Sequence, residues 1–366
     1  SLHDALPIST AEHLNNVRNH LNTTSLVYFR QTANIDLSSF ANWMPIGGGG
    51  TTNIFNGVYD GNGHIITNLT INRPDTDNVG LFGLIGPNDV AKISATSIIN
   101  LGLRNVNVVG RSSVGSLVGR VSGNEVTVIR NCYVIGGTVM GDSITGGLIG
   151  ANNSYITLAS FEGRKPIIRR SYANVSVSFS GAVATGERFG GLVGCNFKGV
   201  IENSHSLSSV TVTPTAPGSS MVGGLAGSND GLGVIDRSFS VGAVTINANV
   251  SLAGGLLGTQ GTSGHPGTVT NSFWDTQTSG LATSAGGAGR TTPQMKTQGN
   301  YTNWDFAAIW SIIEGVTYPY LTGMDLNSGF DVALTIPGSK VAGQSFDLTI
   351  TNAVNSSGTT LNGDRK

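Results

Sequence analysis

Gly190-Gly191-Leu192-Val193-Gly194 decides the fold, because the chain contains such a glycine-bracketed apolar block six times. The closing glycines are 36, 31, 44, 33 and 31 residues apart, at Gly83, Gly119, Gly150, Gly194, Gly227 and Gly258. A second block lies between these copies, with centres at Asn68, Asn100, Asn131, Arg170, Asn203, Arg237 and Asn271. Two residues before the centres stand Ile66, Ile98, Ile129, Ile168, Ile201, Ile235 and Val269. An apolar column that recurs every 31 to 39 residues indicates stacked units that bury their apolar sides on one another.

The composition favours an extracellular β protein and excludes several classes of partner. Charged residues make up 11% of the 366 residues, against roughly 25% in an average soluble domain, so Asn, Ser and Thr carry the surface polarity. A hydrophobic content of 39% with 53 glycines is too apolar and too regular for a disordered chain. The net charge of −1 offers no electrostatic surface for nucleic acid or an anionic membrane. We also expect no membrane insertion, since no run of 18 apolar residues exists.

The two cysteines are predicted to be small buried fillers. Cys132 follows a repeat centre, where other copies hold Leu or Ser, whereas Cys195 follows a glycine block. Because the two occupy different columns, a disulfide is the less favoured alternative. Two cysteines do not fix the redox compartment.

The pattern divides the chain into five segments. Residues 1–8 resemble an adapter-derived translation artefact at the end of a metagenomic reading frame, and we set them aside as non-native. Residues 9–58 are predicted to form an N-terminal cap with a helix, and residues 59–279 the repeat array. Residues 280–325 are predicted to form a Gly/Ala/Ser linker and an aromatic C-terminal cap. An alternating apolar pattern predicts that residues 326–366 begin an Ig-like β-sandwich that is cut short.

The Gly-Gly-Leu-Val-Gly blocks, followed by Asn-Ser-Tyr or Asn-Ser-Phe blocks, resemble the GLUG repeat of bacterial surface proteins. The flanks match such arrays too, since residues 56–64 resemble a first rung and residues 292–321 a closing cap. The resemblance covers roughly residues 9–322. Similar proteins are adhesins of the filamentous-haemagglutinin kind and large secreted multidomain proteins. The resemblance implies an all-β fold, a right-handed parallel β-solenoid (β-helix) of about six or seven rungs with helical and aromatic caps.

No sequence motif for metal-dependent or nucleophilic catalysis is found. None of the six histidines has the spacing of a zinc site, and neither a Gly-x-Ser-x-Gly elbow nor a Walker loop occurs. Gly141-Asp142-Ser143 lies in a strand-turn repeat without a placed base. Asp75-Thr76-Asp77-Asn78 is typical of a turn more than of a calcium site. We therefore expect no metal, no cofactor and no enzymatic activity.

Stacking also creates sites that linear motifs miss. The residues just before the centres are Thr67, Ile99, Arg130, Arg169, Glu202, Asp236 and Thr270. Because rungs lie about 4.8 Å apart, Glu202 and Asp236 would approach the roughly 5–5.5 Å separation of the two carboxylates of a retaining glycosidase. The neighbouring arginines favour a solvated charge ladder, so we predict a structural role. A β-helix polysaccharide lyase or glycoside hydrolase remains the enzymatic alternative.

An aromatic column is the candidate ligand-binding site. Two residues after successive centres stand Tyr133, Tyr172, His205, Phe239 and Phe273. If the intervening Ser or Cys points inward, these rings face solvent and form a stripe that suits the flat faces of sugar rings. If the corner reverses the alternation, the ring stack fills the interior.

Together with the resemblance, these patterns predict a repeat module of a secreted or cell-surface bacterial adhesin. The module is expected to act as an extended adhesive surface or stalk without catalysis. Its expected partner is a host or environmental glycan or a surface protein, and we expect a monomeric module within a larger chain. A purely structural spacer that presents other domains fits the sequence nearly as well, and fold analogy alone does not separate the two.

Overall fold

The computed structural model describes residues 4–23, 25–48, 53–86, 96–122, 127–153, 165–179, 181, 186–261, 265–324, 349–354 and 360–364. The chain forms two compact units, with the boundary between Thr292 and Pro293. The first unit contains the repeat array, and its sheets are parallel throughout. The predicted all-β parallel solenoid is confirmed, with about six turns.

Four sheets form the sides of the solenoid. Sheet 1 consists of Leu6–Ile8, Tyr28–Gln31, Val58–Asp60, Ser97–Ile99, Val128–Arg130, Ile167–Arg169, Val200–Glu202, Val234–Asp236 and Thr268–Thr270. Sheet 2 consists of Ile35–Asp36, Ile65–Thr67, Thr70–Asn72, Gly102–Gly110, Tyr133–Gly141, Tyr172–Phe179, His205–Ser206, Ser209–Val212, Phe239–Ser240, Val244–Ile246, Phe273–Asp275 and Ala288–Arg290. Sheet 3 consists of Phe82–Ile85, Val118–Ser122, Ile149–Asn153, Val193–Phe197, Ala226–Asp230 and Leu257–Thr259. Sheet 4 consists of Ile144–Gly146, Arg188–Gly190, Met221–Gly223 and Leu252–Gly254.

One turn of the chain visits all four sides in a fixed order. It runs through Ile167–Arg169 in sheet 1, Tyr172–Phe179 in sheet 2, Arg188–Gly190 in sheet 4 and Val193–Phe197 in sheet 3. The next turn begins at Val200–Glu202, which pairs with Ile167–Arg169. Each strand therefore pairs with its equivalent one repeat away, as the repeat spacing predicts.

The repeat centres form left-handed backbone turns. All seven centres have positive φ, between 45° at Arg237 and 60° at Asn68. Asn adopts this region more easily than most other non-glycine residues, because its short side-chain amide can form hydrogen bonds with the nearby backbone. Six of the seven centres form the corner between sheets 1 and 2, where the chain changes direction.

The predicted isoleucine column is confirmed from Ile98 onward. Ile98, Ile129, Ile168, Ile201, Ile235 and Val269 pair in register across sheet 1. The four members from Ile129 to Ile235 are at most 1% exposed. The leucines of the glycine blocks are also fully buried, at Leu81, Leu117, Leu148, Leu192, Leu225 and Leu256. These two columns form the sides of one continuous core.

The register that the repeat spacing predicts for the first repeat is wrong. Ile66 pairs with Ile35 and Leu103 in sheet 2, and Tyr59 occupies the place next to Ile98. The corner of that turn spans residues 61–64, with Asn62 and Gly63 at positive φ. Gly61 begins it, and an added Cβ there would lie 2.5 Å from the carbonyl oxygen of Asn100. The prediction that Thr67 begins the charged column is wrong for the same reason.

The paired glycines allow successive turns to approach closely. Gly190 ends a strand of sheet 4, and Gly191 follows in the corner that leads to sheet 3. A Cβ built on Gly191 would lie 2.2 Å from the carbonyl oxygen of Gly224 in the next turn. A side chain at Gly191 would therefore collide with the backbone of the next turn.

Three segments predicted to lie outside the repeat array contribute strands to its sheets. The predicted N-terminal cap and entry segment supplies Tyr28–Gln31 to sheet 1 and Ile35–Asp36 to sheet 2. Leu6–Ile8, within the segment set aside as non-native, pairs with Tyr28–Gln31 and precedes an α-helix at Ala11–Asn16 and a 3₁₀-helix at Val17–His20. Ala288–Arg290, within the predicted linker, pairs with Phe273–Asp275 after a short helix at Thr276–Ser279. Among the described residues, no helix has the length and apolarity needed to cross a membrane.

The second unit is small and rich in aromatic residues. A short helix spans Thr292–Met295, a 3₁₀-helix spans Gln298–Asn300, and Trp310–Ser311 pairs antiparallel with Tyr320–Leu321. Tyr301, Trp304, Phe306 and Trp310 pack against one another. Farther along, Thr349–Val354 pairs antiparallel with Thr360–Asp364. The predicted sandwich over 326–366 otherwise lies outside the described residues and stays a prediction.

Candidate functional site

The corner between sheets 1 and 2 brings the predicted site residues together. In one turn, Arg169 ends the strand of sheet 1 and Arg170 turns the chain with a φ of 49°. Ser171 follows with its side chain fully buried, and Tyr172 begins the strand of sheet 2. Each later turn repeats this order, so the corner carries a charged column, a turn column, a serine column and a ring column.

Buried serines hold this corner together from inside. The Ser171 hydroxyl donates to the carbonyl of Arg169 at 2.9 Å and accepts the N–H of Cys132 at 3.2 Å. The hydroxyls of Ser204, Ser238 and Ser272 make the same two bonds. The serine column therefore points inward, and strand alternation places the following rings on the outer face of sheet 2.

The rings form one continuous stack along that face. Tyr133 and Tyr172 have centroids 5.2 Å apart with planes 7° from parallel. His205 lies 4.8 Å from Tyr172 and 4.8 Å from Phe239, with planes 6° and 1° from parallel. Phe239 and Phe273 are register partners in neighbouring strands. The spacing follows the about 4.8 Å separation of the strands that carry the rings.

Both ends of the stack are closed. A Cβ at Gly102 would lie 2.3 Å from the Tyr133 ring, so that ring covers the glycine in the preceding turn. At the other end the Arg290 guanidinium lies 3.4 Å from the centroid of the Phe273 ring. Such a contact between a cation and a ring face is attractive. Neighbours thus cover the ring faces within the stack and at both of its ends.

Of the two alternatives for the ring column, the solvent-exposed stripe is therefore not the one found. Exposure is 7% or less for Tyr133, Tyr172, His205, Phe239 and Phe273. The rings do point outward from sheet 2, since the residues that follow them, Val134 and Ala173, belong to the core cluster and the rings do not. The rings are nevertheless as buried as interior residues, because neighbouring rings of the stack cover one another. A sugar ring would find no free aromatic face here.

The two carboxylates weighed as a glycosidase-like pair, and predicted to be structural, belong to a charged ladder. Glu202 and Asp236 are register partners in sheet 1. Glu202 lies 3.3 Å from Arg169, and Asp236 lies 2.9 Å from Arg237. One oxygen of Asp236 also accepts hydrogen bonds from the Thr270 hydroxyl and the Asn271 amide, at 2.8 and 2.9 Å. These contacts fit the structural interpretation, in which arginines and neighbouring polar groups engage both carboxylates.

The cysteines are free and buried, as the column positions predict. Cys132 occupies a place in the serine column, and burial raises its pKa to about 12. Cys195 lies in sheet 3 between Ala151 and Ser228, and burial raises its pKa as well. Because the thiolate is the reactive form, neither thiol suits nucleophilic catalysis at neutral pH.

The remaining candidates are turn residues. Both carboxylate oxygens of Asp77 accept hydrogen bonds from Arg111 at 2.8 Å, which holds the pKa of Asp77 below its usual value. The backbone N–H groups of Asp142 and Ser143 both donate to the carbonyl of Arg111. Within the described part of the chain, no group of three His, Cys, Asp or Glu side chains is placed to hold a metal ion.

Sequence reasoning missed a second internal ladder, formed by asparagines in sheet 3. The amide of Asn152 donates to Asn196 at 2.8 Å, and that of Asn196 donates to Asn229 at 2.7 Å. All three side chains are fully buried. The sequence does contain a sign of this ladder, since each Asn stands two residues after the closing glycine of its block.

Comparison with known proteins agrees with this architecture. The profile of the GLUG motif matches residues 110–140. The chain is 31% identical, over 396 aligned residues, to a protein of Evansella cellulosilytica named as a Gly-rich membrane protein. That alignment covers 86% of this chain and 44% of the relative, so the chain spans less than half of it.

Two further similarities involve proteins named as immunoglobulin A1 proteases. The protein of Streptococcus sanguinis is 30% identical over 171 residues, which are 46% of this chain and 8% of that protein. A crystal structure from Bacteroides ovatus superposes with a TM-score of 0.64 at 22% identity, over 87% of this chain and 92% of that one. At this identity the likeness to the crystal structure concerns the fold.

Proposed function

We propose that this chain is a rigid, non-catalytic stalk module of a secreted or cell-surface bacterial protein. The observation that carries the proposal is that the side chains best suited to bind a ligand contact their own equivalents in neighbouring turns. Rings stack on rings, and asparagine amides bond to asparagine amides. Such ladders stiffen a stack, because opening one turn leaves polar groups of the next without partners.

The relatives support a surface location. The Evansella cellulosilytica protein is named as a membrane protein, and this chain corresponds to 44% of its length. A stalk that holds other domains away from a surface suits such a partial match. The low charge and the polarity carried by Asn, Ser and Thr suit an extracellular setting as well.

Adhesion is the finer part of the proposal. The partner would be a glycan or a surface protein, held by the outer faces of the stack or by domains that the stack presents. The buried rings favour the second route for glycans, since sugar stacking needs an open ring face. The buried rings therefore support the spacer interpretation more than direct glycan binding by the ring column.

We expect no turnover of pectin, alginate, xylan, mucin-type glycans or immunoglobulin A1 by this chain. The physical reason is that Glu202 and Asp236 are engaged by arginines and that both thiols are buried. Product release from each polymer measures activity, with Glu202→Gln and Asp236→Asn as matched variants. Turnover by the unmodified chain that either variant abolishes would contradict the proposal.

A further inference from the structure

The outer face of sheet 1 carries two regular columns. Ile168 and its equivalents point inward, so the residues on either side of each isoleucine point outward. One outer column is Ile99, Arg130, Arg169, Glu202, Asp236 and Thr270. The other, two residues earlier in each strand, is Ser97, Val128, Ile167, Val200, Val234 and Thr268.

Over the six strands from Ser97–Ile99 to Thr268–Thr270, both columns are symmetric about the gap between the strands Ile167–Arg169 and Val200–Glu202. The charged column continues beyond this stretch to Asp60 and Arg30 in the earlier strands. The charged column reads neutral, positive, positive, then negative, negative, neutral. The other column has a hydroxyl residue at each end and four aliphatic side chains between them. Val128, Ile167, Val200 and Val234 are all half-exposed, so this face leaves an aliphatic stripe in partial contact with solvent.

From this pattern we infer that the face binds a second copy of this chain, with the two stacks antiparallel. A two-fold axis parallel to the strands, in the gap between Arg169 and Glu202, reverses the order of the turns. Arg130 then faces the partner's Asp236, and Arg169 faces the partner's Glu202. The same axis sets the four aliphatic side chains against the partner's four. A surface that is complementary to itself under rotation is the requirement for a two-fold dimer.

The charges select this occupant over an anionic polymer. Glu202 and Asp236 would repel such a polymer along half of the face, with side chains that remain 24% and 18% exposed. A second copy instead sets Arg130 and Arg169 against the partner's two carboxylates, and the carboxylates against the partner's two arginines. At the axis, the ion pair between Arg169 and Glu202 becomes a square of alternating charges with the equivalent pair of the other copy.

The size of the face makes the contact weak. Six strands about 4.8 Å apart and three residues wide give a face of roughly 25 Å by 10 Å. A stable dimer buries about 800 Å² on each partner, so a single pair of modules associates only transiently. Many stalks on two facing surfaces would bind by avidity. The inference rests on the proposed surface function, since stalks that project from opposed surfaces meet antiparallel.

Cross-linking of the full chain tests the arrangement. Val128→Cys combined with Val234→Cys places two thiols that face each other across the axis. A short bismaleimide spans the about 10 Å between packed sheets, but not the about 14 Å between positions 128 and 234 of one copy. We expect covalent dimers at a yield at least about tenfold above that of each single variant, since matched charges direct the encounter. The matched control is Tyr28→Cys with Val234→Cys, whose thiols in paired copies would be offset by three strand spacings, about 14 Å, along the stack.

Charge reversal in the cross-linking background gives the second measurement. Arg130→Glu sets like charges against the partner's Asp236, so the yield should fall about tenfold, and added salt should lower the yield of the unmodified face. Adding Asp236→Lys should restore the yield, and thermal melting confirms that each variant is folded. Equal yields for facing and non-facing pairs, or a yield that Arg130→Glu leaves unchanged, would overturn the inference. The stalk proposal would stand in that case, because its test uses the isolated chain.

Discussion

Replacement of Ile201 by alanine is expected to lower the free energy of unfolding by roughly 2–5 kcal/mol. Ile201 is fully buried between Ile168 and Ile235 in the core column. The parallel strands on both sides fix the backbone, so the cavity left by the lost side chain cannot collapse fully. Urea denaturation followed by circular dichroism measures the change.

Val200→Ala is the matched control, one residue away on the opposite face of the same strand. Val200 is half-exposed, so its truncation should change the unfolding free energy by less than about 1 kcal/mol. Equal effects of the two substitutions would mean that the alternation in sheet 1 is misassigned.

The stability of the array is expected to fall as the pH drops from 6.5 toward 3, and His205 is the reason. Burial between Tyr172 and Phe239 lowers the pKa of His205 from 6.5 to about 3. The unfolded chain therefore binds a proton below pH 6.5, whereas the folded chain binds it only near pH 3. Stability from the neutral ring is complete above pH 6.5 and is lost as the pH falls through this window. The loss is about 2 kcal/mol by pH 5 and at most about 5 kcal/mol by pH 3.

His205→Phe isolates this contribution. Phe occupies the same column at Phe239 and Phe273, so the ring stack can remain intact. The difference in unfolding free energy between the unmodified chain and His205→Phe should change by about 2 kcal/mol between pH 7 and pH 5. Tyr172→Phe is the control and should keep the pH dependence. A pH-independent difference would show that His205 is not buried in its neutral form.

The sequence predicts the columns of this fold well, because stacking requires equivalent residues to recur at each turn. The isoleucine and leucine columns and the ring column all follow from the repeat spacing, whereas the direction of the serine column does not. The error at Ile66 arose where the pattern is degenerate. The corner after Asp60 is longer than the later ones, and its residue of positive φ, Asn62, does not follow the strand of sheet 1 directly, so the repeat pattern fits the next isoleucine instead.

The burial of the rings could not be derived from the ring positions alone. Alternation correctly places Tyr172 on the outer face, but its exposure depends on the residues above and below it. The two ends of the stack are closed by Gly102, which has no side chain, and by Arg290, which is 17 residues beyond Phe273. Neither belongs to the ring pattern, and Arg290 falls in a segment that its composition marks as a linker.

The asparagine ladder shows a related limit. Asn152, Asn196 and Asn229 recur with the glycine blocks, yet Asn is common throughout this chain and usually marks turns. Only the register of sheet 3 shows that these three side chains bond to one another inside the stack.

A distance along the stack tests the account most directly. Arg30 and Thr270 are exposed members of the charged column in sheet 1, seven strand spacings apart, which predicts a separation of about 34 Å. Spin labels on Arg30→Cys and Thr270→Cys report this distance by pulsed electron paramagnetic resonance. The two native cysteines are first replaced, by Cys132→Ser and Cys195→Ala, so that they do not take up the label. Deletion of residues 167–199 removes one complete turn and should shorten the distance by about 5 Å in a folded chain. An unchanged distance, or a deletion variant that no longer folds, would contradict a stalk built from stacked equivalent turns.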